Sequence, residues 1–216
     1  SGEAKPSLSS EPSPPAEGFL VSDPVDVTTG KVVEHATDFS VPCKGGILEM
    51  GVTRHYTSTM PTNILLISFD YKWVFEYDTY LFVNSDSSVV WHTPMGTSVT
   101  FAYANGVYTA PAGTAFSLVI NADNTYTLTE LAGGKKWFFS TRSQYQSGIN
   151  SLTKIQDRNG NSITMAYGGG RITKATELGG KYITFAYDGS KRITSATDPA
   201  GNEYTYGYDA FSANNF

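Results

Sequence analysis

The sequence predicts an all-β protein: antiparallel β-hairpin repeats forming one continuous twisted sheet, with an N-terminal β head domain. Three observations predict it. After about residue 20, Val, Thr, Phe, Tyr and Trp dominate and are broken every few positions by Gly, Asn, Asp or Pro, the grain of short pleated strands. Period-two alternation puts Val99, Phe101 and Tyr103 on one face of a strand, and Tyr126 and Leu128 on one face of another. Three segments of equal length align without a gap in the last third of the chain.

In chain order, residues 1–20 are a Pro/Ser-rich tail with too few apolar anchors to offset the entropy of ordering. Residues 21–150 form the β head. Within it, Tyr71 to Phe82 reads as one strand on the alternation of Trp73, Phe75 and Tyr77. GTSVTFAY (Gly96 to Tyr103) and GKKWFF (Gly134 to Phe139) read as degenerate copies of the later repeat. Residues 151–210 hold three hairpins, and 211–216 a short tail.

The three units are Leu152 to Tyr167, Ile172 to Tyr187 and Ile193 to Tyr208. Each opens with a branched aliphatic and Thr, and each has an acid at position six, Gly at nine, Thr at thirteen and Tyr at sixteen. An acid followed three residues later by Gly suits a tight hairpin connection: the carboxylate accepts nearby backbone N–H groups, and Gly takes φ > 0 without a Cβ clash. Gly160, Gly180 and Gly201 are therefore the expected repeat turns. Tyr167, Tyr187 and Tyr208 end the strands whose alternate positions form the thick apolar face, and are the expected repeat core. Each hairpin covers only its neighbours in such an array. The last strand is therefore expected to leave unpaired backbone groups and an exposed aromatic face.

Composition excludes several classes. With 40% hydrophobic and 16% charged residues, the bulk of the chain is too apolar for disorder, while the longest aliphatic run, Ile64 to Ile67, is too short to span a bilayer. Fifteen Lys and Arg against 20 acids give a net charge of −5, which argues against nucleic acid as a partner. The chain starts without Met, a basic region or an apolar signal core, as expected of a processed or excised chain.

No constellation carries chemistry. His35, His55 and His92 stand far apart, outside any metal-binding spacing, and read as structural or surface residues. Cys43 has Lys44 beside it but no placed base, and reads as a semi-exposed structural thiol. Glu76 and Asp78 have the spacing that places two carboxylates on one strand face, and read as solvated rather than as a glycosidase pair. Gly168 to Gly170 read as a flexible reversal between strands, lacking the Lys and helix of a phosphate loop. No catalytic, cofactor-binding or metal residue is assigned, and no enzyme activity is expected. Aromatic residues at 13% leave carbohydrate stacking as the alternative to a structural core.

The repeated units resemble the YD repeats of the Rhs family, with Tyr187–Asp188 and Tyr208–Asp209 as the Tyr-Asp pair and Tyr167–Gly168 in its place in the first unit. DPVDVTTGKVVEHATDFSVP (Asp23 to Pro42), Thr53-Arg54-His55-Tyr56 and NADNTYTLTELAGGKKWFF (Asn121 to Phe139) are similar to the segments that precede the repeats in that family. The resemblance implies the N-terminal part of a bacterial, secreted or cell-surface shell that encloses or delivers a toxin or effector, with any toxin activity lying outside these residues. It implies a structural, non-catalytic role, with a cell-surface carbohydrate-binding or adhesion module as the alternative. Further repeats of the same parent chain, other copies meeting at the C-terminal sheet edge, an effector domain and glycans are the expected partners.

Overall fold

The computed structural model describes residues 25–26, 31–58, 65–69 and 72–208; both tails expected from the sequence lie outside them. Seventeen strands are described: β1 (Val25–Asp26), β2 (Lys31–Pro42), β3 (Glu49–Thr57), β4 (Trp73–Phe75), β5 (Tyr80–Val83), β6 (Val89–His92), β7 (Ser98–Ala104), β8 (Val107–Thr109), β9 (Phe116–Ile120), β10 (Tyr126–Glu130), β11 (Lys136–Phe139), β12 (Asn150–Gln156), β13 (Ser162–Gly168), β14 (Arg171–Glu177), β15 (Tyr182–Tyr187), β16 (Ile193–Thr197) and β17 (Glu203–Thr205). All pairings are antiparallel, and the described residues contain no helix. The protein is all-β.

The strands make two sheets. β1 to β4 form a four-stranded meander; the other thirteen form a sheet that forks at β12. Asn150 and Ser151 of β12 pair with Leu81 and Tyr80 of β5, which leads to β6, β7 and β8. The remainder of β12 pairs with β11, which leads to β10 and β9, and with β13, which begins the repeats. The head therefore shares the sheet of the hairpins and adds a smaller sheet of its own. Phe75, Leu81, Phe101, Leu128, Phe139, Leu152, Ile163 and Ile183, all fully buried, join both sheets in one hydrophobic core.

One turn recurs through the chain. In Asn84–Ser88, Thr93–Thr97, Asn121–Thr125, Asp157–Asn161, Glu177–Lys181, Asp188–Arg192 and Asp198–Asn202, the first N–H donates to the fifth carbonyl, and the fourth N–H donates to the first carbonyl. The fourth residue has positive φ each time: Ser87, Gly96, Asn124, Gly160, Gly180, Lys191 and Gly201. This is the hairpin loop built on a type I turn followed by a left-handed residue.

The stretch read as one strand, Tyr71 to Phe82, is two; Tyr71 itself lies outside the described residues. The Asp78 N–H donates to the Phe75 carbonyl and closes a corner between β4 and β5. Trp73, Phe75 and Tyr77 keep their alternation, but the chain changes sheets between them and Tyr80.

Candidate functional site

The repeat ladder is the most regular feature of the molecule. Gly160, Gly180 and Gly201 have φ of +89°, +94° and +89°. Asp157 Oδ1 accepts the N–H groups of Asn159 and Asn161, both at 2.9 Å, and Asp198 Oδ1 accepts those of Ala200 and Asn202 at the same distance. Glu177, one methylene longer, accepts Lys181 N–H at 3.1 Å and uses its other oxygen for the backbone N–H of Lys44 in the head. Asp188, the Asp of a Tyr-Asp pair, accepts Ser190 and Arg192 N–H in the link to the next unit. Acids turn the chain at both ends of a hairpin.

Each closing tyrosine has a second role beyond packing. The hydroxyl of Tyr167 donates to the Leu152 carbonyl at 2.6 Å, that of Tyr187 to Ile172 at 2.8 Å, and that of Tyr208 to Ile193 at 2.6 Å. In all three the last residue of a unit bonds to the first. The rings are half-buried against the core. Because Tyr187 also stands opposite Ile193 in the ladder, it ties β14, β15 and β16 together.

The Thr at position two, visible in the sequence but given no role there, is a β-bulge. The pairing jumps from Lys154 to Leu152 against β11, from Lys174 to Ile172 against β13, and from Ser195 to Ile193 against β15. Thr153, Thr173 and Thr194 are thus the extra residues, each bending its strand once per unit.

The face of the last unit is covered, contrary to the sequence expectation. Tyr204 stacks on Phe39 with centroids 4.2 Å apart, and Tyr206 meets Phe69 edge-on at 5.1 Å. The Tyr206 hydroxyl donates to Asp38 Oδ2 at 2.9 Å, and Asp38 also holds Arg54 through two hydrogen bonds of 2.9 and 2.6 Å. Asp38 is itself a bulge residue, lying between Thr37 and Phe39 where the pairing with β3 shifts. The small head sheet therefore lies over the repeats, and contacts reach beyond nearest neighbours. The backbone edge differs: among the described residues β17 pairs only with β16.

A cleft of about 660 Å³ opens between the small sheet and the two arms of the fork. Trp91 of β6, Phe116 of β9 and Trp137 of β11 form one wall, with ring centroids 4.8 to 6.2 Å apart. His55, Glu76, Glu130 and Lys135 supply polar groups, and Met95, 60% exposed, stands at the rim. Glu76 N–H donates to the Thr53 carbonyl, and Glu76 Oε1 accepts Thr53 N–H, so its side chain extends the β3–β4 ladder. Burial pushes the Glu76 carboxyl up to about 8, with the Thr53 N–H and Lys135 pulling the other way.

Glu76 and Asp78 are therefore neither a solvated face nor a pair. Asp78 is buried and accepts the N–H and hydroxyl of Ser68, both at 2.6 Å, while Glu76 lines the cleft. The corner at Tyr77 separates them. Cys43 is buried rather than semi-exposed, and its thiol is pushed up to about 11 by burial and by Glu177 and Glu49, which outweigh Lys181 and the Met50 backbone. His35 and His55 face each other across β2 and β3, and burial, then His35, lowers the His55 pKa. His92 stacks on Tyr80 at 4.3 Å, and burial pushes it down to about 4. Among the described residues no group of three or more His, Cys, Asp or Glu is placed to hold a metal. Gly169 and Gly170, at φ of +59° and +81°, make the reversal between β13 and β14.

An open sheet that grows by equivalent hairpins, each turned by an acid and bolted by a tyrosine, defines a repeat-built β protein. A family model described as a domain of unknown function (DUF6531) matches residues 22–101, and one described as the RHS repeat matches residues 187–212. Together the two matches support the Rhs/YD-repeat family. No curated protein matches it. The family matches make it a repeat-containing structural protein. No helix among the described residues is long and apolar enough to cross a membrane.

Proposed function

We propose that this chain is the non-catalytic N-terminal part of an Rhs-type shell or scaffold that encloses or delivers an effector outside the cell that makes it. The observation that carries this reading is the contrast at the last hairpin: its aromatic face is finished by Phe39, Phe69 and Asp38, while among the described residues its backbone edge at β17 has a neighbour on one side only. A surface closed laterally and open along the sheet is built to lengthen. Tyr206 N–H donates inward to the Thr194 carbonyl, so antiparallel alternation aims Thr205 N–H outward.

Light scattering across a concentration series tests this edge. Growth in mass with concentration, reduced by Thr205→Pro, is the expected result, because proline removes the outward donor. A constant monomeric mass at every concentration would count against an open pairing edge.

A further inference from the structure

The cleft at the fork touches the repeats only at Ile155, and its chemistry is specific. We propose that it is a binding site for an uncharged sugar unit, held by the apolar wall of Trp91, Phe116 and Trp137 and by hydrogen bonds from Glu76 and Lys135.

Its volume of about 660 Å³ lies within the ordinary range for small-molecule sites, and an apolar lining with a few polar groups is their usual make-up. Glu76 Oε1 is taken by Thr53 N–H, whereas Oε2 has no hydrogen-bond partner among the described residues. That oxygen lies on the cleft lining, where a ligand hydroxyl can reach it. Lys135 Nζ lies 5.0 Å from the Trp137 ring centroid and puts a donor beside the aromatic wall.

Charge selects the ligand class. Glu76 is largely protonated at neutral pH and His55 neutral, each mainly because burial disfavours the charged form. Glu130 and Lys135 carry opposite charges, so the cleft is close to neutral overall. A cation or an anion would gain from one of them and be repelled by the other. A molecule with hydroxyls around its rim and an apolar C–H face matches both halves of the lining. Hexopyranoses have that shape.

The test is calorimetric titration of the whole chain with uncharged probes, namely glucose, galactose, mannose and N-acetylglucosamine, at millimolar concentration. Glucuronate and glucosamine serve as charged counterparts. At least one neutral sugar is expected to bind saturably, and its charged counterparts at least about tenfold more weakly, equal to about 1.4 kcal/mol. Lys135→Ala is expected to weaken binding about tenfold. Met95→Arg, at an exposed rim position, should block entry while leaving the thermal unfolding temperature unchanged.

A pH series separates contact from scaffolding. The charged and titratable groups around Glu76 are Lys135, Glu49, Glu130 and His55. Affinity should fall as pH rises through about 8, where Glu76 loses its donor proton, and Glu76→Gln, a permanent donor, should bind without that fall. No saturable binding by any neutral sugar overturns the proposal, as does binding untouched by Met95→Arg. Tighter binding of the dipeptide acetyl-Leu-Phe-amide than of every sugar would assign the cleft to polypeptide and overturn it as well.

Discussion

Tyr187 separates two contributions that a sequence repeat cannot distinguish. Its ring packs against the core while its hydroxyl satisfies the Ile172 carbonyl. Tyr187→Phe should therefore cost about 1 kcal/mol, the usual net value of a hydrogen bond, and Tyr187→Ala clearly more, as read by urea denaturation. Equal costs for the two would mean that the ring contributes little. At Gly180 an added Cβ meets nothing within 4 Å, so the cost of substitution is set by its φ of +94°. Asn124 occupies the same turn position in another hairpin. Gly180→Asn should be tolerated within about 1 kcal/mol and Gly180→Val should cost more, since a β-branched side chain is poorly placed at positive φ. Glu76 gives a pH dependence of defined sign. Its folded-state pKa lies above the ordinary carboxylate value, so the folded state holds a proton that the unfolded chain releases between about pH 4.5 and 8. Stability from this group is fully present at acid pH and is lost as pH rises through that window, by on the order of a few kcal/mol; Glu76→Gln should flatten the slope. Asp198 and Asp188 act in the opposite sense. The Asn202 side chain holds the first below its usual range, and the Arg192 N–H the second, so the turns they close should loosen as pH falls.

At the scale of the element, what the sequence reveals depends on whether the partner is local. The acid, the Gly and the closing Tyr of each unit are legible because the turn spans five residues and strand alternation is a property of one strand. Thr153, Thr173 and Thr194 were equally visible as an invariant position, yet a bulge is a mismatch in count between two strands, and only the register exposes it. The burial of Glu76 and Cys43 was not legible. Glu76 is shielded by a cleft whose other wall comes from β9 and β11, and Cys43 meets Glu177 more than a hundred positions away. The bulge carries its own prediction. Thr173→Val changes a side chain whose hydroxyl reaches the Ala166 carbonyl only at 3.4 Å, and should cost less than about 1 kcal/mol. Deleting Thr173 removes the extra residue and leaves Ile172 and Lys174 as successive partners of Tyr167 and Ala166, a regular ladder without the bend. The deletion should lower stability clearly more than the substitution, as read by urea denaturation, because it straightens a strand that the neighbouring hairpins meet bent.

At the scale of the whole molecule, Asp38 joins the head to the repeats. It gathers Arg54 from the head and Tyr206 from the last unit, and the Arg54 guanidinium also lies over Phe69, Trp73 and Tyr206 at 5.3 to 5.9 Å. Asp38→Ala leaves the guanidinium without its carboxylate and should cost about 2 to 3 kcal/mol, as charge-assisted hydrogen bonds do. Hydrogen exchange should then rise both in β2 and in β16–β17. A change confined to β2 would mean that the small sheet rests on the repeats without bracing them. The tyrosine bolts have a mechanical consequence. Tyr208 clamps to Ile193, Tyr187 to Ile172 and Tyr167 to Leu152, so a pull on the C-terminal end meets the fastenings one after another. Chain released in that way should come free in equal lengths, one hairpin per rupture, giving a sawtooth force trace in which each tooth reports the loss of one hydroxyl.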